Sequence, residues 1–249
     1  MIANSVSPLT EPAEVRRAPT VGGAMLYDAS RAGNASVDLF DPGYWRTRHA
    51  ASHARAGRGQ ALYVDDGVRH WVLRHYLRGG LFAALFGDRY FWNGEARTRP
   101  FREWRLLHEL RAEGLPVPVP VAARYRKRGL IYRGDLITER IVAAQALSAW
   151  LDHGPVPAQV WRAVGACVRR FHDRGVWHAD LNAHNILVDA QGAVSLVDFD
   201  RGRRRAPGAW RAANLERLRR SLDKIDRGLP RGRFGASEWR LLVEAYGST

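Results

Sequence analysis

The sequence predicts an α+β protein in two lobes, and two observations support that expectation. Strand-like runs with a single helix occupy the first part of the chain, whereas the second part reads as helices enclosing one hairpin. The 249 residues are 46% hydrophobic and 10% aromatic, which suffices for one sizeable core or for two small lobes sharing a cleft. The lone cysteine, Cys167, has no internal partner and fits a reducing compartment. Together these features exclude a fully disordered tail, a coiled coil and a disulfide-stapled scaffold. The expected organisation is a flexible leader over 1–20, an N-terminal lobe over 21–140 and a C-terminal lobe over 141–249, forming one domain.

Residues 1–20 are rich in Pro, Ala, Ser and Thr without a period, and clear patterning begins at Tyr44. Residues 61–64 and 70–76 flank Asp65, Asp66 and Gly67, which reads as strand, tight turn, strand. Over 99–112, Phe101, Trp104, Leu107 and Leu110 recur at helical spacing, and Gly114 marks the stop. The alternating prolines of 116–120 forbid helix and give an extended connector. Strands are expected near 121–125 and 130–138, with a turn at Arg128 and Gly129. Helices are expected over 145–153 and 157–174, then a hairpin from 186–189 and 194–197. Two more helices follow, near 209–226 and 237–246.

Charge is the unusual quantity. The chain carries 39 basic and 25 acidic residues, a net +14. Lys127 and Lys224 are the only lysines, so 37 of the basic residues are arginine. Such a surface attracts polyanions: nucleic acid, anionic lipid or a phosphorylated substrate. No basic start followed by an apolar run marks a signal peptide, and the apolar stretch Leu81–Phe86 is far too short to span a bilayer. A soluble cytoplasmic protein able to sit on a membrane is therefore expected.

The chemistry concentrates in 176–188 and 197–200. Asp180 and Asn185 stand five apart in a loop that follows a helix, and Asp198 comes thirteen residues after Asn185, across a hairpin. Carboxylate and amide oxygens suit a hard cation such as Mg²⁺, and a second carboxylate can orient an acceptor hydroxyl and take its proton. Any one of these residues alone would pass for a loop cap. His172, His178 and His184 could in principle join an aspartate around Zn²⁺, but the loop accounts for them without a metal, His178 as a brace.

The triplet resembles the H-R-D-x-x-x-x-N loop and D-F-G aspartate of the protein-kinase-like superfamily. The resemblance assigns Asp180 as base, and Asn185 and Asp198 as Mg²⁺ ligands. It places Gly57 and Gly59 at the loop over the ATP phosphates, although two glycines serve a plain turn equally well. Arg74 takes the place of the strand lysine, with Glu103 on the next helix as its ion-pair partner; a surface salt bridge is the alternative. The third motif reads Asp198-Phe-Asp200, no A-P-E follows, and about fifty residues remain, too few for a peptide-docking lobe.

Runs 72–81, 114–118, 178–185 and 198–201 resemble the lipopolysaccharide core kinase family of Gram-negative bacteria, whose members also carry arginine at the position of Arg74. The likeness covers nearly everything from Tyr44 to Lys224. It implies a two-lobed protein-kinase-like fold with a reduced, mainly helical C-terminal lobe. It further implies ATP- and Mg²⁺-dependent transfer to the 4-hydroxyl of 3-deoxy-D-manno-octulosonic acid (Kdo) on a lipid A precursor, by a peripheral enzyme on the cytoplasmic side of the inner membrane. The apolar segment 78–92 is a candidate membrane-facing element, with a core helix as the alternative. Two rivals remain: a kinase of this fold acting on a core heptose or an aminoglycoside, and a basic nucleic-acid-binding protein. The second conflicts with the intact triplet and the lack of a basic, aromatic stacking motif. No nucleic acid and no obligate protein partner are expected.

Overall fold

A computed structural model describes residues 14–53, 61–77, 87–229 and 232–248. The chain divides into two units. One holds 14–53, 61–77, 87–101 and 120–138; the other holds 102–119, 139–229 and 232–248. The secondary structure is the α+β mixture expected.

The first unit is built on an antiparallel sheet of eight strands. These are β1 (Val15–Thr20), β2 (Gly23–Asp28), β3 (Ala51–His53), β4 (Ala61–Asp65), β5 (His70–His75), β6 (Tyr90–Phe91), β7 (Pro120–Arg128) and β8 (Ile131–Glu139). Their order is β1-β2-β7-β8-β5-β4-β3, with β6 pairing β8. The β4–β5 turn follows from its residues. Gly67 adopts φ of 83°, and the Asp65 and Asp66 carboxylates accept the Gly67 and Arg69 amides at 3.1 and 2.7 Å. In that register Leu62 faces Leu73 and Val64 faces Trp71, so the alternating apolar residues share one buried face. Short helices α1 (Ala29–Ala32) and α2 (Pro42–Arg46) belong to the same unit. Trp45 of α2 is fully buried, stands edge-on to Trp71 at 6.0 Å and donates its indole N–H to the Leu39 carbonyl at 2.8 Å.

Two expectations need correction here. Residues 15–20, assigned to a frayed leader, pair with β2 along their whole length. The lack of period misled, because an edge strand with most side chains in water need not alternate. Patterned structure also begins before Tyr44, at β1. Of the 78–92 segment, residues 78–86 lie outside the described residues, while 90–91 form β6.

The second unit begins within α3 (Arg99–Ala112), where Trp104, Leu107 and Leu110 are buried as the spacing required. The expected helix over 145–153 is shorter. Residues 144–146 form β9 (Ala144–Ala146), because pairing with the edge of β11 (Ile186–Asp189) satisfies their backbone, and α4 (Leu147–His153) follows. Helix α5 (Ala158–Asp173) aligns Val160, Val164, Val168 and Phe171 on one buried stripe. After it come β10 (Val176–Trp177), β11, β12 (Val194–Leu196) and β13 (Arg203–Arg204), then α6 (Trp210–Asp226) and α7 (Ala236–Gly247). β12 pairs β11, and β13 pairs β10. Helix α5 packs closely on α7 because Gly165 lies against the Leu242 carbonyl, a space that any Cβ would overlap. Burial pushes the Cys167 thiol up to about 12, which leaves it an unreactive core side chain.

A polar network on β5 and β8 sets the electrostatics of the first unit. His75 places Nδ1 2.6 Å from Asp135 and Nε2 3.1 Å from Asp88. Asp135 also accepts Arg124 Nε and Nη2, at 3.0 and 2.8 Å. A cavity of about 150 Å³ opens beside His75 and Asp135, and Leu73 lines it too. Strand alternation puts Leu73 and His75 on the face of β5 opposite Arg74, and the cavity includes none of the expected site residues. The Asp135 hydrogen bond raises the His75 pKa above 6.5, with Asp88 assisting and burial opposing. Because the folded pKa exceeds the unfolded one, this stabilisation is complete below pH 6.5 and is lost as pH rises through the folded value. Urea midpoints should therefore fall between about pH 6 and pH 8.5, and His75→Gln should flatten that slope. Equal slopes for both proteins would remove His75 from the linkage.

Candidate active site

The sequence between β10 and β11 contains no regular element, and its polar groups are held by short-range hydrogen bonds. Asn182 organises the turn: its Oδ1 accepts the His184 and Asn185 amides at 2.8 and 3.2 Å, and its Nδ2 donates to the Asp180 carbonyl at 3.0 Å. Leu181 and Ala183 are buried beneath the loop, so the alternate residues Asp180, Asn182 and His184 stay accessible in differing degree. Asn185 donates Nδ2 to the same Asp180 carbonyl at 2.9 Å. That leaves the Asn185 Oδ1 free of a hydrogen bond to any described residue. The next backbone link joins the loop to the third site residue: the Val197 amide donates to the Asn185 carbonyl at 3.0 Å.

His178 connects both segments. Its Nε2–H donates to the Val197 carbonyl at 2.9 Å, while Nδ1 accepts the Asp180 amide at 3.2 Å. Burial holds its pKa below the usual histidine value, against the opposing Val197 hydrogen bond and the nearby Asp198 and Asp180 charges. A neutral imidazole is required, since one nitrogen donates and the other accepts. Its ring stands edge-on to Phe199 at 4.7 Å, and Phe199 stacks on Phe171 of α5 at 5.6 Å. The buried Phe199 thus pins the segment from which Asp198 and Asp200 project. Asp198 adopts φ of 64°, a left-handed conformation strained for a non-glycine residue. Gly202 donates to the Phe199 carbonyl at 2.7 Å and lies so close to it that a side chain would collide.

Three residues that local sequence reading does not single out complete the site. Asn214, Arg217 and Ser221 recur every three or four residues on α6 and so lie on one helical face. The Asn214 amide donates to the His178 carbonyl at 2.9 Å. Ser221 Oγ accepts the Ala183 amide at 3.2 Å. Arg217 pairs with the Asp180 carboxylate through Nε at 3.0 Å and through Nη2. The only signal available beforehand was their spacing, since their partners lie 36–38 residues upstream.

The other expected residues stand as follows. Arg74 lies on β5, in the first unit, with Nη2 3.3 Å from the Tyr76 hydroxyl and its guanidinium over that ring. Glu103 lies on α3 among the second-unit residues and is 3% exposed, so it is not a surface charge. Gly57 and Gly59 lie outside the described residues. Among the described residues no three His, Cys, Asp or Glu side chains cluster around a possible metal position. One amide oxygen from Asn185 and the Asp198 carboxylate suit a cation that takes its remaining ligands from phosphate and water. A hard, oxygen-liganded ion fits that donor set; a soft one does not.

Residues 43–246 match the model of the lipopolysaccharide kinase (Kdo/WaaP) family. A protein of Stenotrophomonas maltophilia K279a named 3-deoxy-D-manno-octulosonic acid kinase is 47% identical over 206 residues, covering 82% of this chain and 81% of that one. A protein of the same name from Xanthomonas oryzae pv. oryzae PXO99A is 44% identical over 227 residues, covering 90% and 89%. A third, from Xylella fastidiosa 9a5c, is 46% identical over 205 residues, covering 82% and 81%.

Removing the His178 imidazole should expose how far the loop relies on it. His178→Ala deletes two hydrogen bonds and a buried ring contact, so a loss of about 2–4 kcal/mol is expected, read from urea unfolding. A change within about 0.5 kcal/mol would show that the loop is held by other means.

Proposed function

The chain belongs to the lipopolysaccharide kinase (Kdo/WaaP) family, and from that premise we propose that it transfers the γ-phosphoryl group of ATP to the 4-hydroxyl of Kdo on a lipid A precursor. Family membership makes it a phosphotransferase acting on a sugar hydroxyl, of protein-kinase-like fold. The observation that carries the finer reading is the Asp180, Asn185 and Asp198 set, joined through His178, in a chain whose relatives are named for this acid.

In this reading Asp180 receives the acceptor hydroxyl through the carboxylate oxygen that Arg217 leaves open, aims it at the phosphorus and takes its proton. Asn185 and Asp198 would hold Mg²⁺, which supplies charge neutralisation on the phosphates when bound. Arg74 would meet the phosphates as a planar fork rather than as the usual point charge. Gly57 and Gly59 would lie over them. The other acceptors weighed, a core heptose or an aminoglycoside, have no comparable support from the relatives' names.

The acceptor is a lipid, so the working surface must meet an anionic bilayer. No helix among the described residues is long and apolar enough to cross a membrane, and a peripheral position on the cytoplasmic side of the inner membrane suits the net charge of +14. One patch supports that placement. Arg203 and Arg205 both stack over Trp177, at 5.0 and 4.2 Å from its ring, and neither pairs with a carboxylate among the described residues. Arg204, pointing the other way, is tied to Glu113 and to the Arg174 carbonyl. Each basic side chain near an anionic leaflet contributes about 1 kcal/mol, and tryptophan favours the interface.

Two measurements test this reading. Asp180→Asn should keep its fold and nucleotide affinity while transfer drops at least about a hundredfold, and near-normal turnover would remove Asp180 from the chemistry. Sedimentation with anionic vesicles should succeed at low salt, weaken as salt rises and be slight with neutral vesicles. Indifference to both lipid charge and salt would sink the membrane placement.

A further inference from the structure

Among the described residues Arg217 is the one charged side chain that touches the Asp180 carboxylate, and only part of its guanidinium is used. Nε and Nη2, the side-on edge, converge on Asp180 Oδ1. The end-on edge, formed by Nη1 and the second Nη2 hydrogen, has no partner among the described residues. Both side chains are close to half exposed, 47% for Arg217 and 44% for Asp180, so a substrate can reach them. A guanidinium carries five donors in a rigid plane, and each edge matches a carboxylate. The relatives are named for an octulosonic acid, a sugar that brings its own carboxylate.

The geometry points to the free edge of Arg217 as the subsite for the acceptor's carboxylate. This rests on the reading of the acceptor as an acidic sugar. The guanidinium would then bridge two carboxylates, that of Asp180 on one edge and that of the sugar on the other. Asp180 Oδ2 remains available for the hydroxyl to be phosphorylated. A neutral sugar would find no partner for the second edge, so Arg217 is a specificity determinant as well as a positioning residue for Asp180. Helix α6 supplies the rigidity: Asn214 and Ser221, on the same face, fasten it to the loop on either side of Asp180.

The test compares two acceptors on intact protein: Kdo on a lipid A precursor, and the same molecule with the Kdo carboxylate methyl-esterified. Wild type should show KM about 10- to 100-fold lower for the acid than for the ester, the range expected of a charge-assisted pair. Arg217→Ala should raise KM for the acid by a similar factor, leave KM for ATP unchanged and erase the preference. Arg217→Lys should restore part of it, since a point charge meets a carboxylate without the fork. If Arg217→Ala retains the full preference for the acid, or loses kcat alone, the residue merely holds Asp180 and the subsite is refuted. Equal KM for acid and ester in wild type would refute it too. A wild type that phosphorylates neither compound would instead overturn the reading of the acceptor.

Discussion

A neutral imidazole holds the two chain segments that bear the site carboxylates at a fixed separation. His178 donates to the carbonyl next to Asp198 and accepts the amide of Asp180, so a single ring spans both. Protonation would cancel the acceptor, and burial opposes it. Each further contact preserves that ring: Phe199 packs on its side, Phe171 supports Phe199, and Asn214 takes the His178 carbonyl. The left-handed backbone at Asp198 is a local cost that this well-packed surround can carry. Rigid placement is what phosphoryl transfer needs, because the protein contributes mainly position and field.

The excess of arginine separates into distinct physical roles. Arg124 is buried against Asp135 and belongs to the first unit's core network. Arg204 and Arg174 converge on Glu113 and fasten the edge of the second unit. Arg203 and Arg205 rest on Trp177 with no carboxylate among the described residues. Arg217 pairs with Asp180, the base in the proposed reaction. Composition reports the sum of these roles, and only the partners of each guanidinium tell them apart.

What was legible in the sequence was local. The spacing of Asp180, Asn185 and Asp198 was readable because a loop and a hairpin fix it within about twenty residues. Phe101, Trp104, Leu107 and Leu110 announced their helix because its apolar period is unbroken. By contrast, β1 escaped notice because its pairing with β2, rather than its own pattern, makes it a strand. The helical reading of 145–146 failed because the edge of β11 outweighs local propensity. Asn214, Arg217 and Ser221 were silent because nothing near them in the chain signals a partner more than thirty residues away. Glu103 is buried as a helix residue, yet no spacing could have told whether it was a surface charge.

The proposed function has this loop, braced by His178, phosphorylate an acidic sugar carried on a lipid. It is tested most directly by following the γ-phosphate of radiolabelled ATP onto two lipid A precursors, identical except that one bears Kdo. The account predicts label on the Kdo-bearing lipid alone, recovered with the sugar after mild acid releases it. Label on the precursor lacking Kdo, or on neither lipid, would contradict it.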